Sequence, residues 1–121
     1  MPVRLLSSSV MRWPNGKTVH DAVQLWAKRM AQTHSGVLRI GYFGSYARGD
    51  WGFGSDVDLI VIVDKSDLPF ERRPIQWDTL QLPVQADLLV YTQEEWAAMT
   101  GRFRQTIDRE AMWVYERIDA T

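Results

Sequence analysis

The run Asp56–Val63, DVDLIVIV, constrains the fold of this chain most, because its β-branched residues favour a strand. Successive side chains of a strand point to opposite faces, so Asp56 and Asp58 are predicted to share one face. Aspartate is depleted in strands, and two carboxylates about 4 Å apart repel by roughly 4 kcal/mol at an effective dielectric constant of about 20. A cation is expected to offset this repulsion. Mg²⁺ is the natural candidate, because it prefers oxygen ligands and binds one or two protein carboxylates plus substrate phosphates.

Helix and strand patterns alternate along the rest of the sequence. The predicted elements are a helix from Thr18, a candidate N-cap, to a stop at Gly36; strands at Val37–Phe43 and Val84–Tyr91; a broken helix within SDLPFERRPIQWDTLQLP; a helix opened by the capping box Thr92–Glu95; a helix over about Arg102–Met112; and a final short strand WVYE. At 121 residues the chain is too short for two comfortable domains. We therefore expect one α/β (α+β) domain over residues 1–121, with a small mixed sheet flanked by helices and residues 1–17 as an N-terminal arm.

The composition argues against several classes of protein. Apolar residues make up 45% and charged residues 24%, which indicates a folded core. The net charge of -1 gives no strong nucleic-acid signal, although a local basic patch stays open. There is no cysteine, which rules out disulfides and cysteine-bound zinc and is compatible with the cytoplasmic location we expect. No run approaches the roughly 20 apolar residues of a membrane span, so no membrane association is predicted.

A third aspartate, Asp87, lies among apolar residues of the strand VQADLLVY. If that strand lies beside DVDLIVIV, Asp87 can join the face of Asp56 and Asp58. Three carboxylates could then hold two metal ions of the kind that stabilise the attacking and leaving oxygens of phosphoryl transfer. The alternative is structural, in which Asp56 ends a turn, Asp58 is solvated at an edge and Asp87 is incidental.

A Gly44-Ser45 turn follows the first predicted strand. Gly44 has no Cβ, so its backbone N–H can approach a phosphate closely. Ser45 offers a hydroxyl and is a candidate cap for a short helix over Tyr46–Arg48, and Arg48 could add a fixed positive charge. An ordinary β-turn is the alternative. Neither the P-loop pattern nor the full Rossmann fingerprint is present.

The combined pattern is a Gly-Ser pair, ten residues, Asp-x-Asp at the head of a β run and an aspartate in a later strand. It resembles the nucleotidyltransferase superfamily of the DNA polymerase β type, and most of all the minimal nucleotidyltransferases, over roughly the central half of the chain. The resemblance implies a polymerase β-like fold in which Gly44 and Ser45 hold a triphosphate. It also implies that Asp56, Asp58 and Asp87 bind two Mg²⁺ ions, with Asp87 as general base. Arg48 matches a basic position often seen after the Gly-Ser pair.

Many stand-alone family chains of this size are similar to the minimal-nucleotidyltransferase antitoxins that are encoded beside a HEPN toxin. That resemblance implies transfer of AMP from ATP to a tyrosine hydroxyl of a HEPN-type toxin partner. Two other functions stay open: a non-catalytic antitoxin that acts by occlusion, and a small-molecule, aminoglycoside-type transferase whose pocket a dimer completes. A homo- or hetero-oligomer is compatible with each of these functions.

Several further residues are ambiguous in sequence. Trp51 and Phe53, in the loop before Asp56, could stack on a base, contact a partner or pack within the loop. His20 and His34 are interpreted as solvated, because neither has a companion at ligand spacing. The predicted core tryptophans are Trp26, Trp77, Trp96 and Trp113. A group of arginines is predicted to form a solvated face, with a basic rim for a partner as the alternative: Arg72, Arg73, Arg102, Arg104 and Arg109.

Overall fold

A four-stranded mixed sheet in the order β3-β2-β1-β4 organises the chain in a computed structural model that describes residues 13–118. The strands are β1 (Val37–Phe43), β2 (Val57–Val63), β3 (Ala86–Thr92) and β4 (Met112–Glu116). The helices are α1 (Gly16–Thr33), α2 (Ser45–Arg48), α3 (Gln93–Ala98), α4 (Arg102–Glu110) and a 3₁₀ helix (Phe70–Gln76). The predicted fold class, a small mixed sheet flanked by helices, is confirmed. None of the helices between residues 13 and 118 is both long and apolar enough to cross a membrane.

The strand pairing sets which residues meet at each end of the sheet. β1 pairs antiparallel with both β2 and β4, whereas β2 and β3 are parallel. The parallel register places Asp58 directly opposite Asp87. Because β2 and β3 are parallel and run in the same direction, their first residues lie side by side at one end of the sheet.

The two faces of the sheet are covered by different groups of helices. On one face, α1 contributes Val19, Val23, Trp26, Ala27 and Met30 to a cluster that includes Val57, Leu59 and Val61 of β2. On the other face, Ile60 and Ile62 of β2 pack with Trp96 of α3 and Ile107 of α4. β2 is therefore buried on both faces, which explains its nearly continuous apolar sequence. Asp58 lies on the α3–α4 side, by strand alternation with Ile60 and Ile62.

The start of α1 differs from the prediction. Asn15 is the N-cap, and its side chain accepts a hydrogen bond from the backbone N–H of Thr18 at 2.8 Å. The prediction of Thr18 as the cap is therefore wrong, because Thr18 already lies inside the first turn. α1 ends at Thr33, ahead of Gly36, whose φ of 87° places it in the left-handed region. Of the predicted arm, residues 1–12 lie outside the described residues, and the extent of the single domain stays a prediction.

The other boundaries shift by a few residues. β2 begins one residue after Asp56, and β3 covers Ala86–Thr92 rather than Val84–Tyr91. Val84 is nevertheless 6% exposed and belongs to the core, so its apolar character reflects packing rather than strand pairing. The predicted capping box at Thr92–Glu95 is confirmed, since the Thr92 hydroxyl and the Glu95 carboxylate each accept the other residue's backbone N–H. α4 ends at Glu110, and β4 begins two residues later.

Arg73, in the 3₁₀ helix, does not belong to a solvated face. Its side chain is buried and donates to the carbonyls of Leu68 (2.9 Å) and Val90 (3.0 Å). It also forms a bidentate ion pair with Glu95, in which Nη1 lies 2.7 Å from Oε1 and Nη2 lies 3.0 Å from Oε2. These acceptors satisfy the guanidinium in the interior, which is what allows a charged group to be buried there. The prediction of a solvated Arg73 is wrong.

Neither histidine is simply solvated. His20 is half-buried, and its Nδ1 lies 2.7 Å from the hydroxyl of Tyr42. His34 stacks on Trp77 with ring centroids 4.1 Å apart, and its Nε2 lies 2.7 Å from the carbonyl of Gln76. The interpretation of both as solvated is therefore wrong, because each ring packs on an aromatic neighbour. Trp26, Trp77 and Trp96 are buried as predicted, whereas Trp113 is half-buried and covered by the guanidinium of Arg39.

Candidate active site

Three aspartates lie where β2 and β3 begin. Asp58 is the second residue of β2, Asp87 is the second residue of β3, and the two are register partners. Asp56 immediately precedes β2. Asp56 and Asp58 are half-buried, whereas Asp87 is exposed. The structure therefore places the three predicted acids at the N-terminal ends of the parallel strands β2 and β3, with Asp87 on the solvent side.

The electrostatic environment of Asp58 is unfavourable for a carboxylate. Burial raises the pKa of Asp58 above its ordinary value, because removal of water disfavours the charged form. The negative charges of Asp87 and Asp56, and more weakly that of Glu110, raise the pKa further. The positive charge of Arg48 opposes these effects without cancelling them. Asp58 thus experiences a net negative field that a bound cation would relieve.

The three aspartates offer the oxygen ligands that a hard divalent cation prefers, but their side chains are spread apart. Carboxylate oxygens are the ligands that Mg²⁺ prefers, and the negative field at Asp58 favours a cation. Among residues 13–118, no three His, Cys, Asp or Glu side chains are already grouped closely enough to hold one metal ion. The acids therefore match Mg²⁺ in chemical type, and their side chains have to converge for all three to contact one ion.

Gly44 forms the sharp turn between β1 and α2. Its φ of 77° lies in the left-handed region, where residues other than glycine are strained. A Cβ at this position would overlap with Oδ2 of Asp58. The glycine is therefore required twice, once by its own backbone and once by the close approach of Asp58. The same approach shows that the Gly-Ser turn lies directly against Asp58.

Ser45 has a different local role from the predicted one. α2 begins at Ser45, its N-cap is Gly44, and no side chain caps this end of the helix. The prediction that Ser45 caps the helix is therefore wrong, because the chain turns one residue earlier, at the glycine. The four-residue helix keeps Arg48 within reach of the turn, and the carbonyl of Gly44 accepts the backbone N–H of Arg48 at 2.9 Å.

Glu110, the last residue of α4, was not predicted from sequence as part of this site. Its Oε2 accepts a hydrogen bond from the backbone N–H of Gly44 at 2.8 Å and lies 3.3 Å from Nη1 of Arg48. The Glu110 side chain is only 13% exposed. The sequence contained one signal for such a contact. A glutamate at the C-terminal end of a helix is unfavourable with respect to the helix dipole, which favours a compensating contact elsewhere.

The aromatic residues of the loop between α2 and β2 behave differently from each other. Trp51 is half-buried and stacks parallel to Tyr46, with ring centroids 5.6 Å apart. Phe53 is 69% exposed and touches Trp13 at a centroid distance of 5.1 Å. Of the open interpretations, packing within the loop fits Trp51. The exposed ring of Phe53 is available for a base or a partner.

The sheet, the turn after β1 and the acids at the starts of β2 and β3 define a polymerase β-like nucleotidyltransferase fold. Residues 25–113 match the nucleotidyltransferase domain family, and the chain belongs to this family. No curated protein sequence matches the chain.

Solved structures that share the fold include the following two. A protein from Sulfolobus solfataricus described as a nucleotidyltransferase has a TM-score of 0.63 and 16% identity, over 84% of each chain. A toxin–antitoxin structure with AMP-PNP has a TM-score of 0.53 and 15% identity, over 78% of this chain and 73% of the other. At these identities the similarity establishes the fold, and the substrate has to be argued from the site.

Proposed function

We propose that the chain is a Mg²⁺-dependent nucleotidyltransferase that moves AMP from ATP to a hydroxyl of a partner protein. The hydroxyl oxygen forms a bond to the α-phosphorus of ATP, and the bond to the β-phosphate breaks, so that pyrophosphate leaves. The observation that carries this proposal is the register pair Asp58 and Asp87 beside the Gly44 turn, which Asp58 contacts directly. A turn whose backbone N–H can bind a phosphate, next to carboxylates of the type that Mg²⁺ prefers, suits transfer of a phosphate-linked group. The turn holds the triphosphate, and the acids hold the cations that accompany it.

Each predicted residue has a distinct role in this proposal. Gly44 presents its backbone N–H to a phosphate oxygen, Ser45 adds its hydroxyl, and Arg48 adds a positive charge. Asp56, Asp58 and Asp87 are the metal ligands, and two Mg²⁺ ions bound there would offset phosphate charge in the transition state. Asp87 is also the general base. Its solvent-side position supports this role, because an acceptor hydroxyl can approach it.

We further propose that the acceptor is a tyrosine of a HEPN-type toxin and that the chain is its cytoplasmic antitoxin. The resemblance to minimal nucleotidyltransferases motivates this acceptor. The shared fold with a toxin–antitoxin structure that contains AMP-PNP supports it at the level of the fold. The exposed ring of Phe53, in the loop that leads to Asp56, offers an apolar contact for such a partner.

The decisive experiment compares Asp58→Asn with the wild type. Each protein is incubated with labelled ATP, Mg²⁺ and the product of the neighbouring gene, and label transfer is measured by autoradiography and mass spectrometry. Loss of a metal-binding carboxylate is expected to reduce transfer about 100- to 1,000-fold, on the scale of a lost electrostatic contact in a transition state. Asp64→Asn is the matched control, because Asp64 follows the opposite end of β2. Unchanged transfer by Asp58→Asn contradicts the proposed mechanism.

A second function, neutralisation by occlusion, is favoured by the exposed apolar side chains. Phe53, Ile75 and Leu80 are 69%, 72% and 93% exposed. Such side chains can bind a partner without catalysis. In a growth assay with the toxin, the double variant Asp56→Ala/Asp58→Ala distinguishes the two functions. Rescue by this variant supports occlusion, whereas loss of rescue with an intact complex supports catalysis.

A further inference from the structure

Glu110 occupies the donors that the proposed function assigns to a phosphate. Its Oε2 contacts the backbone N–H of Gly44 at 2.8 Å and Nη1 of Arg48 at 3.3 Å. The Gly44 distance is that of a charge-assisted hydrogen bond. A carboxylate and a phosphate oxygen are both anionic acceptors, so one N–H of this kind cannot serve both fully at the same time.

The surroundings of Glu110 are electrostatically unfavourable for a carboxylate whose role is purely structural. As the last residue of α4, it places negative charge at the end of the helix where the dipole favours a cation. Its charge also adds to the negative field at Asp58. Arg48 does not depend on it, because its Nε already pairs with Asp50 at 3.0 Å. The contact that Glu110 alone supplies among these carboxylates is the one to the Gly44 N–H.

We infer that Glu110 is an internal anion that fills part of the phosphate site of the free protein and leaves it when a nucleoside triphosphate binds. This inference rests on the proposed function and adds a positioning residue to it. While the site is free, Glu110 holds the Gly44 turn in its binding geometry and keeps its N–H satisfied. When the triphosphate arrives, a phosphate oxygen takes over the Gly44 N–H and Nη1 of Arg48. Glu110 therefore lowers the affinity for nucleotide, and it keeps the Gly44 turn ordered when no nucleotide is bound.

The test is Glu110→Gln, which keeps an acceptor oxygen for the Gly44 N–H but removes the charge. Binding of Mg²⁺ with a non-hydrolysable ATP analogue is measured by calorimetry. Because a neutral acceptor is displaced more easily than a charged one, the variant is expected to bind the analogue about 3- to 10-fold more tightly. In label transfer, the KM for ATP is expected to fall by a similar factor while kcat changes little.

Two matched variants isolate the contact. Asp50→Asn removes the carboxylate charge at Nε of Arg48 but leaves Glu110 in contact with Gly44 and Arg48, so its effect on affinity is expected to be smaller than that of Glu110→Gln. Glu116→Gln removes a carboxylate at the end of β4 whose ion pair is with Arg39, and its affinity is expected to equal that of the wild type. The amide resonance of Gly44 gives a direct readout. It should shift in Glu110→Gln without nucleotide and converge with that of the wild type once the analogue is bound.

The outcomes separate this inference from the function on which it rests. Weaker binding by Glu110→Gln, or affinity equal to that of the wild type, overturns the displacement of Glu110 and leaves the transferase proposal standing. Absence of analogue binding by the wild type and every variant overturns the proposed function, and the displacement with it. If Glu110→Gln does not fold, Glu110→Asp serves instead, because its shorter side chain retreats from Gly44 and should also tighten binding.

Discussion

At the scale of single residues, the contact between Gly44 and Asp58 links the turn to the acids. Gly44→Ala combines a strained positive φ with overlap at Oδ2 of Asp58. Gly49 has a similar φ of 87°, but a Cβ there would meet nothing within 4 Å. Both alanine variants are expected to lose about 1 kcal/mol of unfolding free energy to backbone strain, and Gly44→Ala more.

Only Gly44→Ala is expected to lose label transfer, because it alone displaces an acid of the site. Urea denaturation measures the stability of each variant, and the transfer assay measures its activity. Equal loss of transfer in Gly49→Ala would contradict this assignment.

The ion pair between the buried Arg73 and the partly exposed Glu95 predicts how stability depends on pH. The hydrogen bond from Arg73 is the largest of the effects that lower the pKa of Glu95 to about 2. Because the folded pKa is below the unfolded value of about 4.3, the ionised carboxylate stabilises the folded state fully above that value. This stabilisation is lost as the pH falls from about 4.3 to about 2. Since Glu95 is 42% exposed, solvent screening reduces its size.

Urea midpoints of the wild type are accordingly expected to fall over that pH interval. In Glu95→Gln the fall should be shallower, because the titrating group is gone. The variant should also be less stable at neutral pH, where it leaves Arg73 buried without its carboxylate. An identical pH profile for the two proteins would show that Glu95 does not contribute to it.

At the scale of elements, one residue both ends β3 and starts α3. The Thr92 hydroxyl accepts the backbone N–H of Glu95 at 3.2 Å and caps α3. Thr92→Ala is expected to lower the free energy of unfolding by about 1 kcal/mol, the usual value of an N-cap. Thr92→Ser keeps the hydroxyl and should lose much less. Chemical denaturation of both variants measures the difference, and equal losses would point to the methyl group instead of the cap.

Strand alternation and one capping box were predicted from the sequence, because each depends on neighbours along the chain, whereas the caps of α1 and α2 were each placed too late in the chain. Alternation along DVDLIVIV placed Asp58 on a face of β2, and Thr92–Glu95 has the letters of a capping box. The contacts of Glu110 and Arg73 were not predictable in this way, because each is fixed by packing between elements distant in the sequence. Spacing patterns report neighbours along one helix or strand. They contain no information about which carboxylate folds back onto a turn 66 residues away.

At the scale of the whole molecule, ligand binding should be visible as thermal stabilisation. A ligand that binds only the folded state stabilises it by about 2.7 kcal/mol when present at 100 times its Kd. Mg²⁺ with ATP is therefore expected to raise the Tm of the wild type, and chelation of the metal should reverse most of that shift. Asp58→Asn should show little Mg²⁺-dependent shift. An equal shift in this variant would place the metal away from Asp58.

The sheet order has a consequence for how the molecule is made. β4 is the last strand of the described residues, and it pairs with β1, the first. While the chain is being synthesised, β1 therefore presents an unpaired edge until β4 emerges. Open edges of this kind are templates for pairing between chains, and long-range strand pairing slows folding. We therefore expect the β1 edge to be open to pairing with other chains during synthesis, and to be covered by β4 in the finished sheet.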